Sequence, residues 1–455
     1  MRKIIILSIL AIICRLLLTI YYVPIFEKSK ISNNLDNLKT YKFLNKINNN
    51  RPFQRNIDVI YFSEKDLSNK IVQEAYSERS LRMNDDEEQN FAIAVNLIKG
   101  DNYSIYDSKK NLYKITSTQH TFPVFVYKFF IENKINFDYF ILIFIVINTL
   151  LFYFSIIYFY KLSLIFLNKS LSEITTLIYC LYPSVLFYVG PLIFYENIAL
   201  SLLIISSYFF IKNNNYYNFI LIIPMAILSL LFRFQTIFIW IFFFAFFTLF
   251  EFYKFRKIKN FIPICLFVFF TFLALKPIFD KNNNLFGDYV YTTHTGYMFF
   301  NGANKLARGS WDGIGKSRIE IEKKVNNDLN ELERGRFYLT EGLNWIKENP
   351  FDYLILEVRK LVIYFLPQNL SVLPYNRTYN PINLLIHIGF VFYFLSLILK
   401  KNINQKNVII LSPIIGSLII SLIFFVGYRW RYYAEPFMIL TAITFISQFY
   451  KKNKD

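Results

Sequence analysis

Long apolar blocks alternate with polar blocks along the whole chain, and the apolar blocks are nearly free of charge. A helix of about 20 apolar residues crosses a hydrocarbon core of about 30 Å, so each long block predicts one membrane span. About ten spans are predicted, at residues 4–23, 138–160, 172–190, 192–211, 217–232, 236–253, 260–279, 382–399, 407–427 and 433–449. The pattern therefore predicts an all-α, polytopic transmembrane protein.

Two long polar segments interrupt the spans, and each contains apolar residues at helical spacing, at 87–98 and at 328–346. Two further apolar pieces are too short or too charged to span and predict juxtamembrane helices at the membrane surface, at 122–131 and 353–366. The predicted order is a first transmembrane helix, a first extracytoplasmic loop, a transmembrane bundle, a second extracytoplasmic loop, and C-terminal transmembrane helices with a cytoplasmic tail, at 1–23, 24–137, 138–279, 280–380 and 381–455.

The charge pattern orients these spans. Lys and Arg are concentrated in the short connections, as in "KFRKIK" at 254–259 and "KKNINQK" at 400–406, and these connections fall on one side if the spans alternate. The positive-inside rule makes that side cytoplasmic, so both termini are predicted inside and both long loops outside. The flanking residues also account for the net charge of +18, and no soluble basic domain is left to bind nucleic acid. We expect a multi-pass protein of the plasma membrane.

Four consecutive carboxylates, Asp85–Glu88, stand directly before an apolar helical stretch in the first outward loop. Two hypotheses fit this position. Acidic residues favour the first turn of a helix, where they meet the positive end of its dipole. An outward carboxylate beside the membrane is also suited to act as a general base. The cluster therefore predicts a helix start under either hypothesis, and catalysis under the second.

The order of residues around this cluster resembles a known motif. "DDEEQNFAIAVNLIKGDNYSI" at 85–105 is similar to the first-loop motif of the polyprenyl-phosphate-sugar-dependent glycosyltransferases of the GT-C superfamily, such as the protein O-mannosyltransferases and the bacterial lipid A aminoarabinose transferases. Asp86 and Glu87 match the Asp-Glu pair of that motif, and Asp85 is the alternative if the register shifts by one. Further segments resemble the family in the same order along the chain, at 182–210, 228–240, 295–313 and 427–440.

The resemblance implies an integral membrane enzyme that moves a sugar from a polyprenyl-phosphate carrier to a protein, lipid or glycan acceptor on the outer face of the membrane. It implies that Asp86 acts as the general base and that Glu87 orients the acceptor, contacts the sugar or only occupies the first turn of the helix. The leaving phosphate needs cations, and the closing motif "GYRWRYYAEPFMIL" at 427–440 supplies Arg429 and Arg431. Arginine can bind phosphate through two parallel hydrogen bonds.

Other site residues are weaker candidates. Arg233 and His294 are further candidates for the phosphate, whereas Glu196 either contacts substrate or pairs with Arg233. His120 is a candidate substrate contact, in "TQHTFPVF", where related transferases often carry a lysine and two prolines. This departure weakens any inference about which sugar is bound.

No cofactor is predicted. The histidines His120, His294 and His387 are scattered, and no His/Cys spacing indicates a zinc site. A divalent cation bound by Asp85–Glu88 stays open, because such cations prefer carboxylate ligands.

Two other classes of protein remain as alternatives. An O-antigen-type polymerase or ligase also combines many spans with a large outward loop, but an acidic loop after only one span favours the transferase. A lipid-linked sugar transporter or flippase would usually carry ionisable residues in mid-membrane and inverted repeats. Here the charges gather at the outer ends of the predicted spans and in the two outward loops, which favours an enzyme working at the membrane surface.

Overall fold

In the computed structural model, the described residues are 2–21, 25–27, 54–56, 85–100, 102–107, 112–118, 121–135, 137–182, 184–185, 195–212, 217–255, 258–310, 321–325, 329–365, 381–399 and 404–452. This part of the chain is mostly helical. The helices are α1 Arg2–Tyr21, α2 Asp85–Ile98, α3 Thr121–Glu132, α4 Phe137–Ser163, α5 Lys169–Leu181, α6 Glu196–Lys212, α7 Tyr217–Phe232, α8 Ile237–Phe255, α9 Ile262–Phe286, α10 Thr295–Gly302, α11 Glu331–Glu348, α12 Pro350–Phe365, α13 Pro381–Leu399, α14 Gln405–Ile423, α15 Tyr428–Arg431 and α16 Glu435–Lys452.

Four stretches of helix are long and apolar enough to cross a membrane, judged by length and composition among the described residues. They are Leu142–Ser163, Phe234–Tyr253, Ile262–Phe286 and Gln405–Ile423. The prediction of apolar helices that could cross a membrane is confirmed at this level. The count of about ten spans and the placement of the loops stay predictions.

One predicted span differs from the structure. The apolar block 172–190 was expected to form a single helix, but α5 ends at Leu181 and Tyr182 adopts an extended conformation (φ −67°, ψ 129°). The next residue is Pro183, and the proline ring disfavours helical backbone at the residue before it. The helix therefore has 13 residues, about 20 Å of axial length, which is shorter than a hydrocarbon core.

The amphipathic segments of the two polar loops form helices as predicted. The segments 87–98, 122–131, 328–346 and 353–366 correspond to α2, α3, α11 and α12. At the start of α11 the Asn330 side chain accepts a hydrogen bond from the backbone N–H of Glu333, and the Glu333 carboxylate accepts one from the backbone N–H of Asn330. This reciprocal capping satisfies backbone donors that a helix start leaves unpaired.

The prediction of an all-α chain missed four short strands. Ile25–Glu27 (β1) pairs in parallel with Gln54–Asn56 (β2), and Ser104–Asp107 (β3) pairs antiparallel with Leu112–Ile115 (β4). Ser104 lies opposite Ile115, and Asp107 lies opposite Leu112. Each strand has three or four residues, too few for an alternating apolar pattern to stand out from the sequence.

The chain divides into two compact units. The smaller unit comprises Ile12–Leu150 and Phe187–Tyr195, and in it α2 packs against α3 and β3. The larger unit comprises Met1–Ala11, Leu151–Leu186 and Glu196–Asp455, and in it α8 packs along α14 and α13 along α16.

Glycines permit the closest of these helix contacts in the larger unit. A Cβ atom on Gly416 of α14 would lie 2.6 Å from the Cα atom of Ile239 in α8. A Cβ atom on Gly389 of α13 would lie 2.8 Å from the Cβ atom of Ala442 in α16. Small residues allow helix backbones to approach closely, which is a common mode of packing between apolar helices in membranes.

Candidate functional site

The acidic cluster begins α2 in the smaller unit, and the two central carboxylates lie in different environments. Asp86 is half-buried, whereas the Glu87 side chain is 1% exposed. Consecutive residues of a helix point about 100° apart, so one carboxylate turns towards the interior while its neighbour stays partly accessible. Asp85 opens the helix, but its side chain and that of Glu88 fall outside the described residues.

The buried Glu87 carboxylate is held by hydrogen bonds. The Tyr127 hydroxyl of α3 donates to Oε2 at 3.0 Å, and the Asn90 Nδ2 atom donates to the same oxygen at 3.3 Å. The Tyr127 ring packs edge-on against Phe91, with 5.9 Å between ring centroids, and at a tilt against Phe140, with 5.0 Å between ring centroids. Burial, with the charge of Glu87 nearby, raises the pKa of Tyr127 well above its usual value, so the hydroxyl stays a donor. Glu87 thus fastens α2 to α3.

The far end of α2 is fixed as well. Gly100 follows the helix with φ of +83°, a backbone conformation that glycine adopts without a steric penalty. The Asn96 Nδ2 atom donates to the carbonyl of Ser104 at 2.9 Å and so ties the helix to β3. Because both ends of α2 are anchored, the position of Asp86 is determined by the surrounding fold.

A cluster of opposite charges lies in the larger unit, at the start of α6. The Arg233 Nη2 atom is 3.0 Å from Glu196 Oε1 and 3.1 Å from Oε2, and both side chains are almost fully buried. The Arg429 Nε atom is 3.7 Å from the same Oε1, and its side chain is 40% exposed. We call Glu196, Arg233 and Arg429 the arginine–glutamate cluster. The predicted pairing of Glu196 with Arg233 is present, and Arg429 joins it.

Arg233 occupies a break between two apolar helices. α7 ends at Phe232, Arg233 is extended (φ −144°, ψ 90°), and a short 3₁₀ turn leads into α8. Phe234 stacks on Tyr291 with 3.7 Å between ring centroids, which covers the turn. At the break, the Thr236 hydroxyl donates to the Arg233 carbonyl at 2.8 Å. Because Arg233 has an extended backbone and not a helical one, the break determines the direction of its side chain and the position of its guanidinium group.

The segment that carries Arg429 is held on one side by α12. The buried Lys360 Nζ atom donates to the Leu422 carbonyl in the last turn of α14 at 2.7 Å and to the Glu357 carboxylate at 2.7 Å. Burial lowers the pKa of Lys360, and Glu357 partly opposes this shift. Beyond the helix end, the Val426 N–H donates to the Gly309 carbonyl at 2.8 Å.

Arg431 differs from Arg429 in its surroundings. Arg431 and Glu435 are each 2% exposed, with 3.2 Å between Arg431 Nε and Glu435 Oε1. The Arg431 Nη1 atom also donates to the Tyr364 carbonyl at 3.3 Å, and the Ser184 hydroxyl donates to the other oxygen of Glu435. This environment supports a structural role for Arg431 and leaves Arg429 as the more accessible of the two predicted phosphate ligands.

The remaining predicted residues lie elsewhere. His294 is half-buried before α10, with its ring centroid 5.0 Å from that of Tyr297. His120 lies outside the described residues. Within the described part of the chain no three His, Cys, Asp or Glu side chains are grouped to hold a metal ion.

Sequence reasoning missed two residues, one in each unit, that hold the candidate residues in place. Tyr127 lies in an apolar helical stretch, where nothing indicates a partner 40 residues earlier. Tyr432, whose hydroxyl donates to the Asn197 amide oxygen at 3.4 Å, joins segments separated by 235 residues. Alternation and helical spacing report which face of an element is apolar, not which distant residue that face meets.

No family model, curated protein or solved structure matches this chain. The features of the molecule that bear on a function are the order of motifs along the sequence, the geometry of α2 and the geometry of the arginine–glutamate cluster. Each of these is described within its own unit of the fold.

Proposed function

We propose that this chain is a GT-C type membrane glycosyltransferase, which moves a hexosyl or pentosyl group from a polyprenyl-phosphate carrier to an acceptor hydroxyl on the outer face of the plasma membrane. The acceptor is a protein, a lipid or a glycan. Three features support the proposal: helices apolar enough to cross a membrane, the half-buried carboxylate of Asp86 at the start of α2, and the partly exposed Arg429 in the short helix α15.

The chemistry is a substitution at the anomeric carbon. The acceptor oxygen forms a bond to that carbon, while the bond from the carbon to the phosphate oxygen breaks and its electron pair leaves with polyprenyl phosphate. The acceptor proton moves to Asp86, which acts as the general base. Proton transfer to a positioned side chain typically contributes about 10²–10⁴-fold to the rate.

The contrast between Asp86 and Glu87 is the observation that carries the proposal. Glu87 is 1% exposed and accepts hydrogen bonds from Tyr127 and Asn90, so it is already used in holding α2 to α3. Asp86 is half-buried and lies on the helix that these hydrogen bonds anchor. A general base needs both access to its substrate and a defined position, and Asp86 meets both requirements.

The leaving phosphate is assigned to Arg429. Its side chain is 40% exposed, whereas Arg431 is 2% exposed and paired with Glu435. A guanidinium group can donate two parallel hydrogen bonds to phosphate and stabilises the negative charge that develops as the carrier departs. Arg233 and His294 are the secondary candidates for this contact.

Substitution of Asp86 by Asn tests the proposal. The amide keeps the shape of the side chain but cannot accept the acceptor proton, so sugar transfer should fall by about 10²-fold or more. Release of labelled sugar from polyprenyl-phosphate carriers is measured with purified protein in liposomes, with and without a chelator of divalent cations. Binding of the carrier should persist, which separates loss of chemistry from loss of the fold.

The matched control is Asp85→Asn, which changes the adjacent carboxylate in the same way. If Asp85→Asn is inactive and Asp86→Asn is active, the catalytic register is shifted by one residue. If both variants and Glu88→Gln keep full transfer activity, the acidic cluster is a helix start and the proposed base is refuted.

A transporter is the second candidate, and the buried ion pairs favour it. Arg233–Glu196 and Arg431–Glu435 are buried charges of the kind that mark substrate pathways inside membranes. A transporter would move an intact lipid-linked sugar across liposome membranes without releasing it. The same assay distinguishes the two functions, because only a transferase yields free carrier phosphate and a glycosylated acceptor.

A further inference from the structure

We infer that Glu196 weakens the hold of Arg429 on phosphate, so that the spent carrier can leave. This inference rests on the proposed function, since it concerns the product of sugar transfer. Glu196 is then a positioning residue that acts through Arg429. It is not a catalytic residue in this role.

The geometry that supports the inference is the sharing of one carboxylate by two guanidinium groups. Glu196 is 1% exposed and lies 3.0 Å from Arg233 Nη2 and 3.7 Å from Arg429 Nε. Arg233 is 6% exposed, whereas Arg429 is 40% exposed. An anion that reaches Arg429 therefore meets a cationic side chain with a fixed negative charge directly beside it. The three side chains together carry a charge of +1.

The transfer reaction changes the charge of the carrier. The donor is a phosphodiester with one negative charge, and the product is a phosphomonoester with a charge of about −1.5 to −2 near neutral pH. An arginine alone would bind the product more tightly than the donor and would slow turnover. Coulomb repulsion scales with the charge of each partner, so the Glu196 carboxylate opposes the product up to about twice as strongly as the donor.

A purely structural role for Glu196 makes a different prediction. If Glu196 only neutralises the buried Arg233, then removing either partner leaves an uncompensated charge and disturbs the site. Phosphate binding would then weaken in both single variants. If Glu196 tunes Arg429, the two single variants must shift phosphate affinity in opposite directions.

Four proteins form a series in the charge of the cluster. Arg233→Gln has a cluster charge of 0, the wild type and the double variant Glu196→Gln/Arg233→Gln have +1, and Glu196→Gln has +2. The probes are farnesyl monophosphate, a farnesyl methyl phosphodiester and inorganic phosphate, whose dissociation constants are measured on purified protein in detergent. Inorganic phosphate separates affinity for the phosphate group from affinity for the prenyl chain.

Glu196→Gln should bind farnesyl monophosphate about 5-fold more tightly, and Arg233→Gln should bind it about 5-fold more weakly, as expected for one unit charge at a partly exposed site. The double variant should return close to the wild type. For the monophosphate, the logarithm of each change should be about 1.5–2 times that for the phosphodiester, because the charges differ by that ratio. In turnover assays, Glu196→Gln should show a lower kcat with a burst of product.

The two prenyl ligands keep the test decisive if one single variant folds poorly, because the variant that folds must still shift the affinity for the monophosphate about 1.5–2 times as far, in logarithm, as the affinity for the phosphodiester. Weaker binding in both single variants, or equal changes for the two prenyl ligands, would overturn the inference. The proposed function fails separately. If farnesyl monophosphate binds neither the wild type nor any variant, or binds Arg429→Gln as well as the wild type, then Arg429 is not a phosphate ligand.

Discussion

Breaking the Arg431–Glu435 pair should lower the free energy of unfolding far more than breaking an exposed pair of the same spacing. Arg431→Met removes the guanidinium and leaves the Glu435 carboxylate buried with a hydrogen bond from Ser184. Both charges are 2% exposed, and losing one partner of such a pair typically costs about 3–5 kcal/mol. Arg431→Met/Glu435→Met removes both charges and should recover most of this loss.

The double variant should remain slightly less stable than the wild type. The Tyr364 carbonyl accepts a hydrogen bond from Arg431 Nη1 at 3.3 Å, and both the single and the double variant lack that donor. A lost hydrogen bond of this kind costs about 1 kcal/mol. Arg431→Met should therefore lie about 3–5 kcal/mol below the wild type and the double variant about 1 kcal/mol below it, so that removing the second charge recovers about 2–4 kcal/mol.

The matched control is the Lys128–Glu132 pair, which has the same spacing of four residues along a helix. Its atoms are 3.4 Å apart, but its side chains are 31% and 48% exposed. Substituting both residues with Met should change stability by less than about 0.5 kcal/mol. The measurement is equilibrium unfolding in mixed micelles with an added denaturing detergent. If Arg431→Met is as mild as the control, the structural role assigned to Arg431 is wrong.

Two further predictions concern the anchors of the candidate site. Tyr127→Phe should destabilise the smaller unit by about 1.5–3 kcal/mol, because the buried Glu87 carboxylate loses a hydrogen-bond donor. Transfer activity should fall in proportion to the unfolded fraction. Melting curves followed by a signal other than tryptophan fluorescence would test this, and an unchanged melting temperature would contradict it. Burial lowers the pKa of Lys360 in the folded protein, so the unfolded chain binds more protons between that pKa and the ordinary value of 10.5. The free energy of unfolding should therefore rise as the pH approaches 10.5, and a Lys360→Met variant should lack this rise. A wild-type melting temperature that falls relative to that of the variant as the pH approaches 10.5 would contradict the prediction.

The elements of the fold were predictable where the signal is local. The helical spacing of apolar residues at 328–346 led to α11 at Glu331–Glu348, because the 3.6-residue period is written into neighbouring positions. Apolar length predicted α8, α9 and α14 in the same way. The hairpin of β3 and β4 was missed, since strands of four residues are held by their pairing and by packing against α2.

The sequence identified the candidate residues but not which of them are buried and which are accessible. Arg429 and Arg431 look equivalent in "GYRWRYY" at 427–433. They lie two residues apart on the short helix α15, which places their side chains about 200° apart around its axis. One guanidinium is buried with Glu435, and the other is partly exposed beside Glu196. No feature of the linear pattern indicates which of the two faces inward.

The same arrangement occurs at the start of α2 in the smaller unit and at α15 in the larger unit. Each accessible charge, Asp86 or Arg429, stands one or two residues from a buried charge of the same sign, Glu87 or Arg431. The buried member forms hydrogen bonds that fix the backbone, and helical geometry then turns its neighbour outwards. A binding or catalytic group gains from being held in one position, and here the neighbouring buried residue contributes to that positioning. Exchanging Arg431 for a neutral residue should therefore disturb phosphate binding only through loss of structure, whereas exchanging Arg429 should disturb it directly.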